Sequence, residues 1–139
     1  ILDIAPVLPL IDADPGRMTQ VLTNILDNAL RHTPEGGRIT LAAREVDNMV
    51  ELSVQDSGPG LNIEDPDRIF ERLYRADPSR YREDGGSGLG LAIAKSIVQA
   101  HSGQILAEST PGSGLKIMIR LPERSRESFV NHRKGHKEH

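Results

Sequence analysis

The stretch from Asp14 to Pro34 constrains the fold most. Met18, Val21, Leu22, Ile25, Leu26, Ala29 and Leu30 recur three or four positions apart, the spacing that lines up residues along one side of an α-helix. Asp14 suits the N-cap, and Pro15 suits the first helical position, where a missing N–H costs nothing. Thr33-Pro34 and the Gly36-Gly37 turn end the helix. Residues 38–46 and 49–56 read as two strands joined at Asp47-Asn48, a hairpin. Residues 104–109 and 115–121 make a second pair, turned by Pro111-Gly112-Ser113-Gly114. Between the pairs, Leu89 to Ala100 is a second helix, closed by Ser102-Gly103. Residues 4–11 look extended, and their prolines make them an edge strand. Each strand alternates and each helix has one apolar stripe. The predicted fold is therefore α+β: a two-layer sandwich with two long helices on one face of a mixed sheet.

The 139 residues suit one domain. Residues 1–122 carry the fold pattern; residues 123–139 turn to Glu, Arg, Lys and His and read as a disordered polar tail. Opening directly in strand-like sequence at Ile1, the chain is expected to be a piece of a longer protein. A net charge of -3 argues against a nucleic-acid partner. With no cysteine there is no disulfide framework and no thiolate metal site. No apolar run approaches the roughly 20 residues that span a bilayer.

On the first helix, Gln20, Asn24, Asn28 and Arg31 form a polar stripe, placed opposite the apolar set at about 100° per residue. Mid-helix Asn is a poor helix former, costing about half a kcal/mol against Ala. The stripe is either a solvated face or a site in which amide oxygens act as hard ligands for Mg²⁺, with Arg31 in reach of a phosphate. Asp56-Ser57-Gly58-Pro59-Gly60 is either an Asp/Gly turn or a carboxylate acceptor beside glycines that let a flat base approach. Gly85-Gly86-Ser87-Gly88-Leu89-Gly90-Leu91 runs into the second helix. It is either a hinge or a phosphate-binding helix start. P-loop and Rossmann spacings both fail, because Leu89, Leu91 and Ala94 stand where glycines are required. The loop-rich stretch from Ser57 to Gly88 has the length of a functional lid. In it Phe70 and Tyr74 either staple a short helix or anchor the lid while Arg72 or Arg75 neutralises phosphate charge.

Together these segments resemble the N, G1, F and G2 boxes of sensor histidine kinases, within the wider GHKL ATPase superfamily. The matching residues are Gln20 through His32, Asp56 through Gly60, Phe70 through Arg75 and Gly86 through Leu91. The resemblance covers about residues 10–122. It implies a Bergerat-type ATP-binding fold with ATP and Mg²⁺ as cofactors. It implies that Asn28 holds Mg²⁺ on the phosphates with Asn24 nearby, and that Arg31 and His32 lie beside the nucleotide. Asp56 would bond the adenine amino group, with Gly58 and Gly60 lining the base. Phe70 belongs to the nucleotide-binding lid, and Arg72 or Arg75 would approach the terminal phosphates. Gly86, Ser87, Gly88, Leu89 and Gly90 would frame the triphosphate. Family members often carry Thr after the last glycine motif; here Leu115 and Lys116 follow Gly114, so a hydroxyl contact to adenine is not carried over.

GHKL hydrolases place a Glu four residues before the Mg²⁺-binding Asn, as a base for water. This chain has Asn24 there, and an amide takes no proton at neutral pH. Phosphoryl transfer to a nucleophile supplied from elsewhere is favoured, with positioning and charge neutralisation as this domain's contribution. A nucleotide-binding pseudokinase or docking module is the other alternative. None of His32, His101, His132, His136 and His139 has the family's acceptor context. The implied partners are a dimerisation and phosphotransfer domain of the parent protein and a response regulator. The isolated domain is expected to be monomeric and cytoplasmic, in a membrane-anchored parent.

Overall fold

A computed structural model of the chain describes residues 1–5, 8, 11–60, 65–71, 89–110, 112 and 114–124. In chain order the elements are β1 (Leu2–Ile4), α1 (Pro15–His32), β2 (Ile39–Val46), β3 (Met49–Asp56), a 3₁₀ turn (Pro66–Phe70), α2 (Gly90–Ala100), β4 (Gln104–Thr110) and β5 (Gly114–Pro122). The five strands lie in the order β1-β2-β3-β5-β4. β1 runs parallel to β2 and every other neighbour is antiparallel, so the sheet is mixed as predicted. α1 packs against α2 and over β3, and α2 lies over β4.

Local chemistry sets the boundaries. Asp14 Oδ1 accepts from the N–H of Gly16 (2.9 Å) and Arg17 (3.2 Å), satisfying two donors that the first turn leaves unpaired. At the other end the Thr33 N–H and hydroxyl both donate to the Ala29 carbonyl. Asp47 and Asn48 both take positive φ, 51° and 62°, and join β2 to β3 in a two-residue hairpin whose twist suits the strands.

Of the edge strand expected over 4–11, residues 6, 7, 9 and 10 lie outside the described residues; the described edge strand, β1, is Leu2–Ile4 and so begins before the expected stretch. Among the described residues, pairing with β2 occupies Leu2–Ile4, with the Ala5 N–H donating to the Ala43 carbonyl. Ile11 bridges Glu123. That bridge and the Arg124–Asp12 ion pair at 3.2 Å tie residues 123 and 124 to the start of the chain. Of the polar tail expected over 123–139, residues 125–139 lie outside the described residues.

Strand alternation sends Leu41, Val54, Ile117 and Ala107 to the helix face in one cross-strand row. Val21, Ile25 and Ala29 of α1 and Ala94, Ile97 and Val98 of α2 close on that face. Leu30, expected in the apolar stripe, is instead 63% exposed. Among the described residues, α2 is the helix packed beside α1.

On the opposite sheet face Arg44, Glu51 and Arg120 are register partners across β2, β3 and β5. Glu51 is only 3% exposed; its Oε1 accepts from Arg44 (3.1 Å) and its Oε2 from Arg120 (3.0 Å). Burial alone would raise its pKa. The hydrogen bonds and charges of Arg120 and Arg44 outweigh it and hold the carboxyl below its ordinary 4.5. A depressed carboxylate contributes stability above the ordinary value and loses it as pH falls through the folded-state value. Glu51→Gln is therefore expected to destabilise the domain by about 1–3 kcal/mol at pH 7, with the difference from wild type shrinking below pH 4.5; urea melts across pH check this.

Candidate functional site

Asp56 ends β3 and is 4% exposed. Its Oδ1 accepts from the Gly58 N–H (2.9 Å) and from the Leu115 N–H at the start of β5 (3.2 Å). A buried carboxylate needs such donors. Oδ2 receives no hydrogen bond among the described residues. One oxygen is thus committed to the fold, and the other remains an acceptor of fixed position. The neighbouring turn is tied in as well, since the Gly112 N–H donates to the Pro59 carbonyl at 2.6 Å.

The C-terminal end of α1 packs on this loop. Ser57 Oγ accepts from the Arg38 N–H at 2.7 Å. A Cβ on Gly58 would overlap the His32 carbonyl oxygen. That close approach is itself a reason for glycine at 58 and brings the last turn of α1, with Arg31 and His32, beside Asp56. Both of those side chains are exposed.

The polar stripe of α1 is corrected in direction. The buried residues are Val21, Ile25 and Ala29. At about 100° per residue, Asn24 and Asn28 fall on one flank of that stripe rather than opposite it. Both are accordingly half-buried, on the flank where α2 begins. Asn24 Nδ2 donates to the Gly90 carbonyl at 2.9 Å. Asn28 forms no side-chain hydrogen bond among the described residues.

α2 starts at Gly90 with Leu89, half-buried, in the N-cap position and no side-chain cap. The leading N–H groups of a helix lack intrahelical partners, which suits them to an anion. Phe70 is 3% exposed and belongs to the core cluster, so its observed part is packing. The 3₁₀ turn that carries it is fixed by Asp67, whose Oδ1 accepts from the Ala107 N–H of edge strand β4 at 2.8 Å. Sequence reasoning gave Asp67 no role, because the contact spans 40 residues; a Pro-Asp pair at a turn start was the only local signal. Gly60 takes φ +74 at the end of its loop. Arg72, Arg75, Gly86, Ser87 and Gly88 lie outside the described residues.

In sequence, Gly114 is the last residue of the Pro111–Gly114 turn. It has φ +90, and a Cβ there would overlap the Asp56 carbonyl oxygen. Gly112 has φ +84 with open space around it. Gly114→Ala is expected to cost about 2–4 kcal/mol and Gly112→Ala about 1 kcal/mol, both in urea melts. Equal costs would mean that the approach of β5 to Asp56 is not tight.

Residues 13–125 match the family model described as histidine kinase-, DNA gyrase B-, and HSP90-like ATPase. The chain is 46% identical over 114 residues to the sensor histidine kinase WalK of Bacillus subtilis (strain 168), which covers 81% of this chain and 19% of the relative. It is 44% identical over 109 residues to the signal transduction histidine-protein kinase BaeS of Escherichia coli (strain K12), covering 78% of this chain and 23% of the relative. Among solved structures, the mycobacterial sensor histidine kinase MprB superposes with a TM-score of 0.74 at 31% identity, over 88% of this chain and 79% of that one. Full-length ShkA in complex with AMPPNP gives 0.72 at 35%, over 88% of this chain and 26% of that one. The chain thus spans about a fifth to a quarter of the curated relatives named here.

Proposed function

The chain belongs to the histidine kinase-, DNA gyrase B- and HSP90-like ATPase family, and from that premise we propose that it is the ATP-binding catalytic domain of a sensor histidine kinase. The observation that carries the reading is the buried Asp56 carboxylate, with one oxygen saturated by backbone donors and the other left as an acceptor. That acceptor matches the exocyclic amine of adenine, and Gly58 and Gly60 keep side chains away from the ring. The half-buried Asn28 amide offers one hard oxygen ligand, which is enough for Mg²⁺ when phosphates and water complete its shell. Among the described residues no cluster of three or more His, Cys, Asp or Glu could hold a metal, consistent with a cation that arrives with its nucleotide.

Arg31 and His32 flank the nucleotide from the end of α1. The leading N–H groups of α2, with Leu89, Gly90 and the preceding Gly86, Ser87 and Gly88, take the phosphates. Arg72 or Arg75 meets the terminal phosphate. ATP supplies the γ-phosphoryl group. The chain's own residues orient it and offset its charge, and Asn24 cannot abstract a proton from water. The acceptor is a histidine on a separate dimerisation domain of the parent protein, and a response-regulator Asp receives the phosphoryl group next. The parent is membrane-anchored with this domain in the cytoplasm, and the isolated domain is a monomer.

Calorimetry with a non-hydrolysable ATP analogue tests the reading. Binding is expected to strengthen with Mg²⁺. Asn28→Ala is expected to remove the Mg²⁺ increment, and Asp56→Asn to weaken binding at least tenfold under both conditions, through loss of a charge-assisted hydrogen bond. Binding indifferent to both substitutions would contradict it.

A further inference from the structure

The Asn24 side chain is committed to the protein. Only its NH₂ end can face a carbonyl, and Nδ2 lies 2.9 Å from the Gly90 oxygen, across 66 residues of sequence. Asn24 is one turn from Asn28 on α1, and Gly90 is the first residue of α2. The bond therefore joins the turn before the proposed Mg²⁺ ligand to the proposed phosphate-binding helix start. A second link lies at the far end of the pair, where the Asp14 N–H donates to His101 Nε2 at 3.2 Å and His101 Nδ1 lies 2.8 Å from the Ile97 carbonyl. With α1 and α2 held at both ends, the Asn24 link sets the separation at the nucleotide end.

We propose that Asn24 is a positioning residue that, by donating to the Gly90 carbonyl, fixes the α2 N-terminus against Asn28 and so sets where the phosphates sit, without itself ligating the metal. This rests on the nucleotide reading above. It also gives a reason for an amide at this position that proton transfer does not. A carboxylate has the shape but no donor, and would face the Gly90 oxygen with like charge.

The test compares wild type, Asn24→Ala, Asn24→Asp and Asn28→Ala, with ADP as the probe, with and without Mg²⁺, and with adenosine. Asn24→Ala is expected to weaken ADP binding about fivefold, equally in both conditions. Asn24→Asp should weaken it more, and adenosine binding should not change. In the nucleotide-free protein, Asn24→Asp should move the backbone amide resonances at Gly90 and Leu91 and leave Gly58 and Leu115 in place. That readout needs no ligand, and a general loss of folding would not produce it. An Asn24 effect confined to the Mg²⁺ increment, as for Asn28→Ala, would make Asn24 a metal ligand and overturn the inference. So would an unchanged ADP affinity or unmoved resonances. No ADP binding by wild type would overturn the nucleotide reading and the inference with it.

Discussion

Asp56 Oδ1 is where three pieces of chain meet. It accepts the Gly58 N–H from its own loop and the Leu115 N–H from the start of β5, while the β4–β5 turn reaches back to the Pro59 carbonyl. A carboxylate buried to 4% exposure needs these donors. The donors exist only because Gly114 lets β5 come against the Asp56 backbone and Gly58 lets the loop come against His32. One oxygen of this side chain thus holds the loop, and the position of the other is set by it.

The helices follow from the sheet. α1 buries Val21, Ile25 and Ala29 on the strands, and helical geometry then puts Asn24 and Asn28 on the flank beside α2. The residues suited to a cation and the helix start suited to phosphates are brought together by apolar packing, with Asn24–Gly90 as the polar link across the seam. Arg44, Glu51 and Arg120 on the other sheet face leave the helix side free for this arrangement.

Much of this was legible in the sequence, for local reasons. The Asp14-Pro15 start, the Asp47-Asn48 hairpin and the strand pairs need only turn chemistry and periodicity, and all appear close to their expected bounds. The order of the boxes pointed to the family that the comparisons then showed. What escaped depends on contacts between distant positions. Leu30 has the period to extend the apolar stripe, but the buried face of α1 is centred on Val21, Ile25 and Ala29, and Leu30 lies more than a quarter turn round from it. Asn24 lies beside α2 because the buried stripe of α1 is Val21, Ile25 and Ala29, narrower than the apolar period implies. Asp67 and Glu51 look like surface acids until β4 and the cross-strand arginines are placed next to them. Gly114 looked like a turn residue until Asp56 stood behind it.

The most direct test of the central claim is a residue-by-residue nuclear magnetic resonance titration of the chain with Mg²⁺·ADP. The account predicts the largest changes at the Gly58 and Leu115 backbone amides and at the Asn24 and Asn28 side-chain amides. These report the Asp56 loop and the flank of α1 beside α2. Changes confined to the sheet face opposite α1 and α2, at Thr40, Gln55 and Lys116, or no changes at all, would contradict it.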